Sequence, residues 1–150
     1  MTEVRFYHLT RTTLETALPQ MLEKTLERDQ RAVVMAGSEE RLEALNAWLW
    51  TYQDRSFLPH GSKRDGFAAD QPVWLTTQDE NPNGAQVLFL TDGATSEALG
   101  DYTLCAMLFD GKDEAAVTGA RAEWSRLKKA GHQLTYWQQD ERGRWAQQDA

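Results

Sequence analysis

The sequence predicts an α/β fold with a mainly parallel central sheet covered by helices on both faces. Residues 31–36 and 87–93 are apolar runs without polar alternation, which is typical of strands buried on both faces. Segments with helical spacing of apolar residues separate several of these runs. A strand followed by a helix and another strand is the repeating unit of a parallel sheet.

The first strand and helix are predicted at the start of the chain. Residues 4–9, VRFYHL, favour a strand because aromatic side chains fit a pleated surface. Thr12 and Glu15 have the spacing of a capping box, so we expect Thr12 to begin the first helix. Apolar residues at helical spacing extend that helix to about Arg28.

The second strand and helix follow directly. Residues 31–36 form the strand, and Ser38 is the predicted N-cap of the helix, with two glutamates in its first turn. The apolar stripe of this helix consists of Leu42, Leu45 and Leu49.

The second half of the chain contains most of the predicted strands. Residues 61–70 and 79–85 are predicted loops, and Gly131 is a predicted C′ glycine at the end of a long helix. The predicted elements are strands at 72–76, 87–93, 102–109 and 132–138, a short helix at 94–99, and the long helix at 112–130. Residues 143–145 are expected to pair beside the last strand.

Length and composition indicate one soluble domain over residues 1–150. The chain has 41% hydrophobic and 26% charged residues, a globular balance. Its net charge of −7 disfavours direct binding to nucleic acid, because the phosphate backbone repels an acidic protein. One cysteine excludes an intrachain disulfide, and no window approaches the ~20 apolar residues of a membrane span. We therefore expect a cytoplasmic protein with no membrane partner.

Nucleotide-binding motifs are missing at the places where an α/β fold would carry them. No glycine follows the first strand, where a dinucleotide fingerprint needs close backbone approach to the pyrophosphate. Gly61-Ser62-Lys63 has the last letters of a P-loop but lacks the earlier glycine. The sequence thus predicts no cofactor and no nucleotide site of these types.

Catalytic and metal-binding patterns are equally sparse. The histidines His8, His60 and His132 lack metal-ligand spacing, so no metal site is expected. Cys105 lies in an apolar run, where cysteine usually behaves as a small hydrophobe. The sequence predicts no catalytic residue, although a small cytoplasmic α/β enzyme of unrecognised type, using Cys105 or a histidine, stays an alternative.

Residues 47–61, AWLWTYQDRSFLPHG, place much aromatic surface at a helix exit. If the helix continues, Trp50 falls about 100° past the core residue Leu49. One interpretation is that the following loop folds back and buries these rings. The other is that Trp50, Phe57 and Leu58 form an exposed apolar patch, which usually marks a protein partner.

The long helix has a second unusual surface at residues 121–131. An inward stripe is predicted for Ala116, Ala120, Trp124 and Leu127, and Arg121, Ser125 and Lys128 form an adjoining stripe with Arg126 and Lys129 beside it. These cations could simply be solvated and suit the helix C-terminus. They could also form a cationic groove with an apolar floor, which would suit an acidic peptide with a hydrophobic end.

Several segments together resemble the chi subunit family of bacterial DNA polymerase III holoenzyme. The matching features are FYHL in the first strand, RAVVMAGSEE, LW followed by SFLPHG, PVWLT, VLFLTDG, and KKAGH at the end of the long helix. They extend from residue 5 to about residue 137. None is a catalytic signature, but their order and spacing are fairly specific.

The resemblance implies a three-layer Rossmann-like domain that binds no nucleotide and is itself non-catalytic within the polymerase holoenzyme. The family is a clamp-loader accessory that pairs with a psi subunit and binds the acidic C-terminal tail of single-stranded DNA-binding protein. On the psi side, the family's tryptophan and phenylalanine match Trp50 and Phe57, with Leu58 next to them. The family's tail-binding arginine and aromatic residue match Arg121 and Trp124.

Two positions of the implied tail site depart from the family pattern. Ser125 occupies the position of the family's lysine, and Lys128 that of its later arginine. Arg126 is the nearest replacement charge for Ser125, but it points about 100° away around the helix.

Overall fold

Eight strands form one sheet in the computed structural model, which describes residues 2–51, 60–63 and 66–148 and only the backbone of Trp50 and Thr51. The strand order is β3-β4-β2-β5-β6-β1-β7-β8, and every neighbouring pair is parallel except β7 and β8. The strands are β1 (Glu3–Leu9), β2 (Ala32–Met35), β3 (Gly61–Ser62), β4 (Val73–Thr76), β5 (Val87–Leu90), β6 (Leu104–Asp110), β7 (Gln133–Gln139) and β8 (Trp145–Gln148).

Helices cover both faces of this sheet. The helices are α1 (Leu14–Glu27), α2 (Glu39–Thr51) and α3 (Glu114–Lys129). Alternate residues of β1 point to opposite faces, and they separate two buried clusters. Tyr7 and Leu9 pack with leucines of α1 and α2, whereas Val4 and Phe6 pack with α3. The predicted three-layer α/β fold with a mainly parallel sheet is confirmed.

Most predicted elements agree with the structure to within a few residues. The strand pairing expected for residues 143–145 is present, since β8 begins at Trp145 and lies antiparallel to β7. The Ser38 cap is also confirmed, because its Oγ accepts the backbone N–H of Arg41 at 3.2 Å. Gly131 has φ +90°, and the N–H of His132 donates to the carbonyl of Leu127, as expected after a C′ glycine.

The capping box predicted at Thr12 and Glu15 is wrong. Helix α1 has Thr13 at its N-cap, without a side-chain cap bond. Contacts distant in sequence explain the difference. The Oε1 atom of Gln139 accepts the N–H groups of Arg11 and Thr12 at 3.2 Å each, and the Glu15 carboxylate binds Arg41.

Two predictions in the middle of the chain are also wrong. Residues 94–99 do not form a short helix, and a 3-10 turn lies at Leu99–Asp101 instead. The loop predicted for 61–70 contains β3, whose two residues pair with Trp74 and Leu75 of β4. Two residues are too few for a periodic apolar pattern, so tertiary pairing defines this strand.

None of the helices within the described residues is both long and apolar enough to cross a membrane.

Candidate functional site

Helix α3 presents its surface between two well-defined ends. The Asp113 side chain caps the N-terminus by accepting the N–H groups of Ala115 and Ala116 at 3.0 and 3.4 Å. Ala120 and Leu127 are buried against the sheet, as the predicted inward stripe requires. Leu127 is fixed in the core, and the neighbouring positions therefore face outward in a defined orientation.

Trp124 lies half-buried between the core and the outer stripe of α3. Its ring meets Phe6 edge-on at a centroid distance of 5.2 Å and Tyr136 at 6.5 Å. Tyr136 in turn lies 6.5 Å from Phe109. Trp124, Tyr136 and Phe109 form a partly exposed aromatic surface beside α3, which we call the aromatic floor.

His8 closes one side of the aromatic floor. Its Nδ1 forms a hydrogen bond with the Tyr136 hydroxyl, and the Nε2 of Gln138 lies 3.3 Å from the same atom. Its ring is 4.9 Å from that of Phe109. Burial and the nearby Arg121 guanidinium lower the pKa of His8, outweighing a backbone bond to Gly111 that raises it. The neutral imidazole is therefore favoured.

Arg121 is the cation that the structure brings to the aromatic floor. Its charge acts on both His8 and Tyr136, so its guanidinium lies near the imidazole of His8 and the hydroxyl of Tyr136. Burial raises the pKa of Tyr136 although Arg121 opposes this effect. Arg121 itself is exposed and in no ion pair within the described residues.

The remaining predicted residues of this surface fall into two groups. Ser125 and Lys128 are exposed on the same stripe as Arg121, at four- and seven-residue spacing. Arg126 turns instead to Glu123 and donates two hydrogen bonds to its carboxylate, at 2.9 and 2.8 Å. Arg126 is thus already partly neutralised.

The sequence reasoning missed His8, Phe109 and Tyr136. Tyr136 is the register partner of Phe6, and His8 is two residues after Phe6 on the same face of β1. The alternation of side chains along β1 and β7 would have placed these residues on one face of the sheet. That inference requires knowing that the two strands pair.

The aromatic segment at the end of α2 is described in part. Leu45 and Leu49 are buried in the core, as predicted. Trp48 is 38% exposed, and its indole N–H donates to the carbonyl of Glu15. The side chain of Trp50 and the whole of Phe57 and Leu58, which were predicted to form a partner patch, lie outside the described residues.

A large cleft lies at the carboxyl edge of the sheet, with a volume of about 890 Å³. Open α/β sheets commonly bind ligands at this edge. The alternative of a small α/β enzyme would require a concave pocket with titratable groups, and this cleft is such a pocket. The cleft is bordered by the loop after β1, the turn after β5 and the first half of α3.

The carboxylates lining this cleft are occupied by structural roles. Arg41 pairs with Glu15 and Asp92 at 3.2 Å each. The others are Asp113, which caps α3, Glu123, which binds Arg126, and Asp110, which accepts the N–H of Lys112. The cleft therefore has acidic groups, but they are held as parts of the fold.

Cys105 is fully buried in β6, and burial raises the pKa of its thiol. A buried thiol with a raised pKa is a poor nucleophile. Neither Cys105 nor the three histidines lines the cleft among the residues that the structure describes. Within the same residues, no group of histidine, cysteine or carboxylate side chains could hold a metal ion.

Comparisons with known proteins identify relatives of the chain. A family model described as DNA polymerase III chi subunit, HolC, matches residues 1–135. The probable DNA polymerase III subunit chi of Rickettsia prowazekii (strain Madrid E) is 34% identical over 90 residues. The alignment covers 60% of this chain and 54% of the relative, so the chain spans about half the length of that relative.

Proposed function

Because the chain belongs to the family of DNA polymerase III chi subunits, we propose that it is a non-catalytic adaptor in DNA replication. It links the clamp loader, through a psi subunit, to the acidic C-terminal tail of single-stranded DNA-binding protein. The observation that carries the proposal is the position of the exposed Arg121 beside the aromatic floor.

The chemistry of this surface suits a tail that combines carboxylates with a terminal Pro-Phe. Arg121 and Lys128 provide exposed positive charge on one stripe of α3. Hydrogen bonds between such cations and carboxylates are stronger than those between neutral groups. The aromatic floor offers apolar area for a phenylalanine ring, since offset and edge-on aromatic pairs are favourable.

The individual residues contribute unequally to this proposed tail site. Arg121 binds carboxylate, and Trp124 contacts the apolar end of the tail. Ser125 offers a hydroxyl group, and Lys128 adds charge one turn further along the helix. Arg126 contributes least, because its guanidinium already binds the Glu123 carboxylate through Nε and Nη2.

The psi-binding part of the proposal rests on Trp50, Phe57 and Leu58, which match the family's psi-side pattern. A partner surface at the exit of α2 would be separate from α3, because α2 and α3 pack on opposite faces of the sheet. Such a protein could hold both partners at once. The test is co-purification with the co-expressed psi subunit, in which Phe57→Ala should lose psi but retain tail binding.

The tail site is tested by titration calorimetry with a peptide that carries several aspartates and ends in Pro-Phe. Arg121→Ala should weaken binding by about tenfold or more, since hydrogen bonds to charged groups contribute roughly 1.5–3 kcal/mol. Binding to the wild type should also weaken with salt, because exposed charges are screened over about 10 Å at 0.1 M.

Lys129→Ala is the matched control, because it removes an exposed cation from the same helix but not from the stripe of Arg121. Equal affinities of the wild type and Arg121→Ala would refute the assignment of Arg121. Equal losses in Arg121→Ala and Lys129→Ala would indicate general charge attraction instead of a defined site.

A further inference from the structure

A second concave site lies between α1 and the β7–β8 hairpin, away from α3. Its volume is about 530 Å³, which is within the size range of small-molecule pockets. Thr16, Gln20 and Lys24 line it at four-residue spacing along one side of α1. The facing wall is the turn of the hairpin, with Arg142 and Arg144. We call this site the hairpin cavity.

The walls of the hairpin cavity are fixed by a hydrogen-bond network. Gln139 accepts two N–H groups from the loop before α1 and donates to the Thr12 hydroxyl at 3.0 Å. The Asp140 carboxylate accepts the N–H groups of Arg142 and Arg144 at 2.8 and 2.9 Å. Gly143 completes this turn with φ +80°. The cavity therefore exists before any ligand arrives.

The charge of the lining contrasts with that of the protein. The chain carries a net charge of −7, yet the described lining has three cations, Lys24, Arg142 and Arg144, and no acidic side chain. None of the three forms an ion pair within the described part of the chain. The turn itself carries two acidic residues, Asp140 and Glu141, which lie outside the lining. Backbone bonds from Arg144 and Arg142 lower the pKa of Asp140.

We propose that the hairpin cavity binds the phosphate groups of a small polyphosphate ligand of the nucleoside di- or triphosphate class. Three cations that repel one another are best neutralised by a compact anion with several charges. Guanidinium groups match the geometry of phosphate oxygens, and the hydroxyls of Thr12 and Thr16 add further donors.

A small ligand fits better than a long nucleic acid. An acidic protein repels a polyanion over most of its surface, whereas a compact ligand meets only the local positive field. Trp145 also lines the cavity and gives it an aromatic wall. The site is distinct from the nucleotide site of an α/β sheet, whose glycines are missing here, and most of its cations lie beyond the residues that the family model matches.

The proposal is tested by titration calorimetry of the full chain with sodium pyrophosphate, ATP and a single-stranded oligothymidylate, at constant ionic strength. We expect pyrophosphate and ATP to bind. Arg144→Gln and Lys24→Gln should each weaken that binding by about tenfold or more, since each removes a charged hydrogen-bond donor. Lys129→Gln, on the opposite face, should leave it unchanged.

The variants address different elements, so a folding defect in one does not remove the test. The turn at Arg144 is held by its backbone, which Arg144→Gln retains, and circular dichroism checks both variants. Tighter binding of ATP than of pyrophosphate would indicate that the nucleoside contacts the aromatic wall. Equal binding would indicate that the cavity recognises the phosphate groups alone. No heat with either ligand, equal binding by all variants, or binding of the oligothymidylate alone would overturn the proposal.

Discussion

The two faces of the sheet are built from different kinds of side chain. On one face, α1 and α2 pack leucines against the strands, and Leu18, Leu22, Leu45 and Leu49 are at most 1% exposed. On the other face, α3 packs largely through Trp124 and Leu127, and loops between the strands complete the cover with Leu99 and Tyr102. We call them the leucine face and the aromatic face.

This difference separates stability from recognition. Aliphatic side chains without polar atoms are buried completely, so these leucines stabilise the fold and leave no polar group for an acidic peptide. The aromatic face ends in half-buried rings with polar tips, such as Tyr136 and His8, next to the exposed Arg121. Aromatic and arginine side chains are also the types that anchor protein interfaces.

The largest expected effect is a loss of stability on the leucine face. Leu22 is fully buried in α1, so Leu22→Ala should reduce the free energy of unfolding by about 2–5 kcal/mol through lost burial and a cavity. Urea denaturation measures this change. The folded protein should still bind the aspartate-rich Pro-Phe peptide with wild-type affinity.

The same two measurements on Trp124→Ala sharpen the comparison. We expect Trp124→Ala to lose more peptide affinity than Leu22→Ala for each unit of unfolding free energy lost, because Trp124 is only half-buried. A loss of peptide binding in Leu22→Ala at temperatures where it is folded would contradict the division between the two faces.

The leucine face could be predicted from the sequence because its information is local. Leu42, Leu45 and Leu49 recur at helical spacing, which predicted the helix. Residues 31–36 form an uninterrupted apolar run, which predicted the buried strand. The short helix predicted at 94–99 failed for the opposite reason. That segment is held by tertiary bonds, such as Ser96 to the Asp79 carboxylate at 2.6 Å, which no local pattern reveals.

The aromatic face could be predicted only in part. Arg121 and Trp124 lie on one helix, so their spacing and the family resemblance were sufficient to select them. His8 and Tyr136 lie 128 residues apart and meet because β1 pairs with β7. The capping error at Thr12 has the same origin, since Gln139 binds the loop before α1 from the far end of the chain.

A smaller effect on stability is expected at the missing backbone hydrogen bond of α1. Pro19 lies inside α1 and lacks the N–H that would bond the carbonyl of Glu15. The indole N–H of Trp48 donates to that carbonyl instead. Trp48→Phe keeps an aromatic ring but removes the donor, so it should cost about 1 kcal/mol of unfolding free energy, measured by urea denaturation.

A double-mutant cycle with Pro19→Ala tests whether the two residues act on the same carbonyl. The Pro19→Ala substitution would supply the missing helix donor, and the cost of Trp48→Phe should then shrink. An equal cost of Trp48→Phe in both backgrounds would show that the indole bond to Glu15 contributes no measurable stability, and that Trp48 acts only through its ring.

The smallest expected effect is a pH dependence confined to the aromatic face. Burial and Arg121 lower the pKa of His8 in the folded protein, against opposing contributions from Gly111 and Asp110. An unfolded histidine titrates near 6.5, so between the two pKa values the unfolded chain binds more protons. The contribution of His8 to stability is therefore complete above about pH 6.5 and decreases as the pH falls through its folded pKa. Protonation also removes the acceptor at Nδ1 that faces Tyr136 and Gln138.

Replacing His8 should remove this part of the pH profile. The free energy of unfolding is measured by urea denaturation between about pH 5 and pH 7, a range that includes the unfolded pKa of histidine. As the pH falls through this range, His8→Gln should lose less stability than the wild type. His132→Gln is the matched control, because His132 precedes β7 at the end of the strand opposite to Gln138. It should retain the slope that His8 contributes.

Peptide binding should follow the same pattern, since charging His8 places a second cation beside Arg121 and disturbs the aromatic floor. If His8→Gln and the wild type lose stability in parallel over this range, the aromatic face is no more sensitive to pH than the leucine face, and His8 serves only to pack against Phe109.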